Sequence, residues 1–116
     1  MTPYDRLAKL GLTLPKAMPA QANYLPFLLR GSQLHVSGQG PFDSEGQLRI
    51  GKVGRDRTVG QGYDDARLTG LNLLAQVHAA IGDLGRVAYV IKVFGMVNAT
   101  DDFNDHHKVI NGCSEI

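Results

Sequence analysis

The sequence predicts an α+β fold, with helices covering one side of a sheet. Three observations carry that prediction. Two short apolar runs, Phe27-Leu28-Leu29 and Leu34-His35-Val36, flank a glycine-bearing turn. From Val59 to Leu84 apolar residues recur every three or four positions. From Arg86 to Val97 apolar residues occupy both alternating faces of the chain. A period near 3.6 marks a helix and a period of two marks a strand.

The elements follow in order. Thr2 and Pro3 open a short helix, with a capping hydroxyl followed by proline at the first position. Leu7 and Leu10 share one face of it, and Gly11 stops it. Pro15, Pro19 and Pro26 punctuate an extended, irregular stretch. Arg30-Gly31-Ser32-Gln33 then joins the two apolar runs as a β-hairpin. Gly38-Gln39-Gly40-Pro41 ends the second strand, and Asp43-Ser44-Glu45-Gly46 is a turn in the polar stretch to Arg57.

Thr58, with Gln61 three residues on, forms a capping box for the longest element. Its apolar stripe is Val59, Tyr63, Ala66, Gly70, Leu73, Leu74, Val77, Ile81 and Leu84, over roughly seven helical turns. Asp64, Asp65, Arg67, Asn72, Gln76 and His78 fall mostly on the wet side. Gly70 suggests a close approach to a sheet. Gly82, Asp83 and Gly85 stop the helix.

The strand from Arg86 to Val97 points Val87, Tyr89, Ile91, Val93 and Val97 one way, and Ala88, Val90, Lys92, Phe94 and Met96 the other. Both faces need cover. The long helix supplies one, and another copy of the protein is expected to supply the other. A last helix steps through Phe103, His107, Ile110 and Cys113 or Ser114. The chain stops at Ile116 within a helical turn. About three strands are fewer than the ~4–6 typical of a sheet, so a C-terminal part of about two strands is expected beyond Ile116.

Composition narrows the function classes. The 116 residues are the size of one domain, and 43% hydrophobic with 20% charged residues is globular. Twelve basic residues against eleven acidic ones give a formal charge of +1. That balance opposes a dedicated nucleic-acid binder and offers no polybasic membrane anchor. Cys113 is the only cysteine, which excludes an internal disulfide and a multi-cysteine metal knuckle. It fits a reducing compartment. No apolar run reaches the ~18–20 residues that span a bilayer. Residues 1–14 lack the pattern of a signal peptide, so a cytoplasmic location is expected.

The order of hairpin, long helix, strand and second helix, with Val36-Ser37-Gly38-Gln39 closing the second strand, resembles the Rid family, also called YjgF or L-PSP proteins. Tyr24 matches the tyrosine these proteins carry one short strand ahead of Ser-Gly-Gln. Ala66-Arg67-Leu68, Asn72-Leu73-Leu74, Ala80-Ile81-Gly82-Asp83-Leu84, Val90-Ile91-Lys92-Val93 and Asp102-Phe103 match in order. Arg6-Leu7, Gly11-Leu12-Thr13-Leu14-Pro15 and Lys108-Val109-Ile110-Asn111-Gly112 are similar to a bacterial branch whose members have about 150 residues.

The resemblance implies a chorismate-mutase-like mixed sheet with two helices on one face, assembled as a homotrimer with clefts between subunits. Residues 1–116 then form a single Rid-like domain without its C-terminal strands. It implies hydrolysis of reactive enamine or imine intermediates, such as 2-aminoacrylate, to a keto acid and ammonia, with no cofactor and no metal. The family's catalytic arginine, which clamps a substrate carboxylate, and its water-positioning carboxylate would lie beyond Ile116. The substrate-binding residues carried over are Tyr24, Ser37, Gly38, Gln39 and, at the pocket edge, His107. The expected partners are a small imine or carboxylate ligand and further copies of the chain.

Each candidate also has a plainer reading. Tyr24 either walls the pocket or is a tyrosine satisfied locally. Ser37-Gly38-Gln39 is no nucleophile elbow, because His35 stands where that motif needs glycine. Its backbone either approaches a ligand, as Gly38 permits, or simply ends a strand. His106 and His107 are adjacent and point about 100° apart, which does not suit a shared metal. His107 either edges the pocket or lies on a helix face, and His35 and His78 read as structural or exposed. Arg49, Lys52, Arg55 and Arg57 either hold phosphate or pair with nearby carboxylates across subunits. They are no Walker A loop. Lys92, on an apolar strand, is either a lysine of lowered pKa or one that snorkels or pairs. Cys113 reads as a core thiol. Three functions compete: the enamine/imine hydrolase, a non-catalytic metabolite-binding trimer of the same fold, and, least favoured, an L-PSP-type endoribonuclease.

Overall fold

The computed structural model describes residues 1–116. Three helices and one small antiparallel sheet follow the chain: α1 (Pro3–Lys9), β1 (Phe27–Arg30), β2 (Gln33–Val36), α2 (Val59–Ile81) and α3 (His106–Ser114), with a single 3₁₀ turn at Leu84–Arg86. Residues divide into two compact units. One holds Met1–Gln39 and Leu71–Tyr89, the other Gly40–Gly70 and Val90–Ile116.

In the first unit, α1 opens on a reciprocal cap. Thr2 Oγ1 accepts the Asp5 N–H at 3.1 Å, and Asp5 Oδ2 accepts the Thr2 N–H at 2.9 Å. The Thr2 backbone N–H, and then its hydroxyl, hold the Asp5 carboxyl below the usual carboxylate range. Gly11, at φ +69°, supplies the left-handed turn that ends the segment. Leu7 is buried. The Tyr4 hydroxyl accepts the Leu84 N–H at 2.9 Å and shares a 3.0 Å hydrogen bond with His78 Nδ1, tying α1 to the 3₁₀ turn and the end of α2. The hairpin pairs Phe27 with Val36 and Arg30 with Gln33 around a two-residue loop. Gly31 takes φ +57° there, which a residue with a Cβ resists.

The capping box of α2 is present. Thr58 N–H donates to Gln61 Oε1 at 2.9 Å, and Gln61 N–H donates to Thr58 Oγ1 at 3.1 Å. The buried side of α2 is not the expected stripe. Leu71, Asn72, Ala75 and Gln76 are its buried residues beyond Gly70, whereas Leu73, Leu74 and Val77 are half-buried. Gln76 belongs inside because the proline-rich stretch offers its amide a backbone partner. Gln76 is 1% exposed, and its Nε2 donates to the Met18 carbonyl at 2.6 Å. A buried amide needs such a partner.

In the second unit, α3 crosses the first half of α2 on glycine. A Cβ at Gly112 would collide with the Tyr63 carbonyl oxygen, and one at Gly70 would lie 3.2 Å from Cys113 Sγ and 2.6 Å from Ile116 Cδ1. Gly70 therefore admits a helix rather than a sheet. The buried side of α3 is Val109 and Gly112, so His107 is exposed and not on the packed stripe. Burial pushes the Cys113 thiol up, in keeping with a packed and unreactive group. The Tyr63 hydroxyl donates to Glu115 Oε2 at 2.5 Å, and that bond, followed by desolvation, raises the Tyr63 phenol above its usual value. A raised phenol stabilises the fold fully below its ordinary pKa, near 10, and that contribution is lost as pH rises through the higher folded value. In an absorbance titration, one of the four tyrosines should ionise last, and Glu115→Ala should bring it back toward the others.

The expected strand from Arg86 to Val97 forms no ladder. Arg86 closes the 3₁₀ turn, and the residues after it carry no strand pairing. The sheet is therefore two-stranded rather than a mixed sheet covered by two helices. Strand geometry needs hydrogen-bonded neighbours, and nothing within residues 1–116 supplies them here. Lys92 is accordingly exposed rather than buried.

Candidate functional site

Of the five residues carried over from the family pattern, Tyr24 and Ser37 line one groove in the first unit, while Gly38 and Gln39 follow in the same unit without lining it. The groove has a volume of about 350 Å³ and is lined by Tyr24, Leu25, Phe27, Leu28, His35, Val36 and Ser37. Its walls are mainly apolar, with three polar side chains among them. A wider depression over Met1, Asp5, Ala8 and Lys9 is one open face of α1 and brings no chemistry together.

The proline-rich stretch carries Tyr24 to the groove and is pinned along its length. Gln76 holds the Met18 carbonyl, as described above, and Gln21 Nε2 donates to the Pro19 carbonyl at 2.9 Å. The Gln21 N–H then donates to the Tyr24 hydroxyl oxygen at 3.3 Å. That leaves the Tyr24 O–H hydrogen without a partner in the chain, ready to donate. Tyr24 is 42% exposed and lines the groove.

Ser37 does a different job from that of a ligand donor. Its Oγ donates to the Leu25 carbonyl at 2.6 Å, and its N–H donates to the Pro26 carbonyl at 2.9 Å. Both bonds fasten the end of β2 to the chain just after Tyr24. The hydroxyl proton is thereby committed, and only oxygen lone pairs face outward. No base activates it, in agreement with the missing nucleophile-elbow glycine. Gly38 would place a Cβ in open space, so no packing within the chain demands glycine there. Gln39 is half-buried beside it.

His107 is not brought to the groove within one unit. It lies on α3 in the second unit, exposed. His35, read from sequence as structural or exposed, is exposed and lines the groove. The signal was available: His35 and Ser37 are two apart on one strand and so share a face, and His35 pairs with Leu28 across the hairpin. His78 is structural, held by Tyr4.

The basic loop is largely neutralised from within. Arg57 reaches Asp65 through Nε at 3.1 Å and Nη2 at 2.6 Å, and Arg49 reaches the same carboxylate at 3.5 Å. Arg55 pairs with Asp56 at 3.1 Å. The Lys52 N–H, and then Arg55, hold the Asp56 carboxyl below its usual range. These pairs lie within the chain. No three His, Cys, Asp or Glu side chains converge in a metal-binding group. No helix is long and apolar enough to cross a membrane.

Comparison with known proteins identifies the family. The sequence model of a family described as YjgF/chorismate mutase-like, putative endoribonuclease matches residues 4–116. Protein TCP17 of Trypanosoma cruzi is 39% identical over 110 residues, which is 95% of this chain and 69% of that protein. The crystal structure of a putative endoribonuclease from Shewanella oneidensis MR-1 matches with a TM-score of 0.93 and 39% identity, over 99% of this chain and 76% of that one. A protein of unknown function from Agrobacterium tumefaciens matches with a TM-score of 0.85 and 45% identity, over 96% and 68%. With its α+β elements, its match across residues 4–116 and these relatives, the chain belongs to the YjgF/chorismate mutase-like family.

Proposed function

We propose that the protein serves a Rid-type deaminase, in which the Tyr24 groove is one wall of a cleft that hydrolyses a reactive enamine or imine to a keto acid and ammonia. The observation that carries this reading is the unspent Tyr24 O–H above apolar walls. Such a donor suits the nitrogen or carboxylate of a small imino acid, and the apolar lining suits its side chain. Water adds to the imine carbon and forms a C–O bond while the nitrogen takes a proton. The carbinolamine then breaks its C–N bond, the hydroxyl yields its proton, and ammonia leaves. The reading needs neither metal nor organic cofactor.

Residues 1–116 bring no arginine to the groove. The carboxylate clamp that suits a bidentate guanidinium belongs, on the family pattern, to chain beyond Ile116. Homotrimeric assembly, a cytoplasmic setting and the joining of His107 to the cleft are parts of the same proposal. The exposed apolar residues after Val87 support assembly, because a free surface of that kind calls for cover.

The test supplies imino acids from an amino-acid oxidase and follows keto-acid release. The protein should speed release, and Tyr24→Phe should lose about tenfold of that gain, the value of one hydrogen bond to a charged group. Equal rates with and without protein would end the enzyme reading. Saturable keto-acid binding with unchanged rates would favour the metabolite-binding trimer instead. The endoribonuclease reading draws on the names of the family and of the Shewanella relative. Against it, Arg49, Arg55 and Arg57 already face carboxylates. RNA affinity that falls steeply with salt would revive it.

A further inference from the structure

We infer that His35 and Arg30, on one face of the β1–β2 hairpin, form a second anion subsite that extends the Tyr24 groove and selects ligands with a distal carboxylate. The ligand class is then the imines and keto acids of dicarboxylic amino acids, which rests on the deaminase reading of the groove and narrows it. The register fixes which side chains share this face. Leu28 stands opposite His35, and Arg30 opposite Gln33. Side chains two apart on a strand point the same way, so Ser37, two residues past His35, continues the row. Along the hairpin the face reads Ser37, then His35 with Leu28, then Arg30 with Gln33 at the turn. Ser37 is fastened to the Leu25 and Pro26 carbonyls, so Tyr24 and Arg30 stand at opposite ends of the row.

The turn end of this face is built for an anion. Leu34 and Val36, on the opposite face of β2, are half-buried, whereas Arg30, Gln33 and His35 are exposed. Arg49, Arg55 and Arg57 are each spent on a carboxylate, but Arg30 and His35 form no ion pair within the chain. No Asp or Glu stands in either strand or lines the groove, so no carboxylate is placed there to compete. Arg30 is the one cation of the two strands, and its planar fork suits a carboxylate. A neutral imidazole still offers one N–H, so His35 is a second donor. Diagonal neighbours on one sheet face lie about 7–8 Å apart, which lets the long arginine side chain and the imidazole share one anion.

The two ends of the row define the ligand. Tyr24 offers its O–H to the reacting end, as described above. Leu25 and Leu28 lie between and supply apolar surface for methylene groups. Arg30 stands beyond the groove lining, where a terminal carboxylate would emerge. Ser37 and His35 are separated by about 7 Å along the strand, a span that the carbon chain of a dicarboxylic keto acid matches. A short imine such as 2-aminoacrylate would engage Tyr24 and leave Arg30 hydrated. The subsite therefore acts on selectivity and takes no part in the bond-breaking steps.

The test is calorimetric titration with 2-oxoglutarate and with 2-oxopentanoate, which has the same chain length and no distal carboxylate. 2-Oxoglutarate should bind about fivefold more tightly, the upper value for an exposed charge pair. Arg30→Gln should remove that margin and leave 2-oxopentanoate binding as before, whereas Arg30→Lys should keep part of it. His35→Leu should narrow the margin in the same selective way. A residue that only supports the fold would weaken both ligands alike. Equal affinity for the two keto acids, saturable binding of neither, or a margin that survives Arg30→Gln would overturn the subsite. The margin with no acceleration of imine hydrolysis would end the deaminase reading and leave the subsite standing. Acceleration without the margin would do the reverse.

Discussion

Gly112→Ala should unseat α3 from α2. The new methyl group would fall on the Tyr63 carbonyl, with the carbonyl carbon 2.9 Å and the Arg67 nitrogen 3.1 Å away. These are backbone atoms inside a helix and cannot swing aside as a side-chain tip can. Alanine would return about 1 kcal/mol of helix propensity, but overpacking of this kind costs about 3 kcal/mol or more. The net loss should appear as a lower urea midpoint, together with loss of the late-ionising tyrosine, because the Tyr63–Glu115 bond depends on the same crossing. Gly62→Ala provides the contrast. There the added carbon would meet only the tips of Val109 and Val53, at 3.2 Å, and a smaller loss is expected.

Gln76→Ala should cost about 2–4 kcal/mol, since it opens a cavity in a packed helix face and also strands the Met18 carbonyl. Gln76→Met keeps most of the volume and should cost less, about 1–3 kcal/mol, for the unpaired carbonyl alone. Denaturant titration of the two variants separates packing from hydrogen bonding. The functional reading sharpens the expectation. Gln76 fixes the start of the chain that Gln21 and Tyr24 continue, so Gln76→Met should also loosen the groove. If that stretch is held some other way, Gln76→Met will match the parent protein in both stability and ligand affinity.

The local punctuation of this chain was legible. Thr2, Gly11, Gly31, Thr58 with Gln61, and Gly82 each act where their backbone chemistry predicts, because caps and left-handed turns depend on a few adjacent atoms. The long helix was legible as an element but not in its rotation. Hydropathy places Asn72 and Gln76 in water, yet both are buried, and for Gln76 a remote stretch of chain supplies the Met18 carbonyl. The same reasoning misplaced His107 on the packed stripe of α3. Tyr24 and Ser37, expected together from the family pattern, both line the groove, whereas the donor role of Ser37 toward Leu25 needs the fold. His35 was passed over although its spacing from Ser37 put it on the same face. The strand at 86–97 rests on alternation and apolar content, and neither can supply the neighbour that a ladder requires.

Cys113 has a practical consequence. Its sulfur sits beside Gly70 with a depressed tendency to ionise, so little thiolate is present near neutral pH to meet peroxide or another thiol. Higher-order species that accumulate during storage in air are therefore expected to dissolve in denaturant without added reductant. Ageing of a preparation would then report on adhesion between apolar stretches rather than on covalent cross-linking.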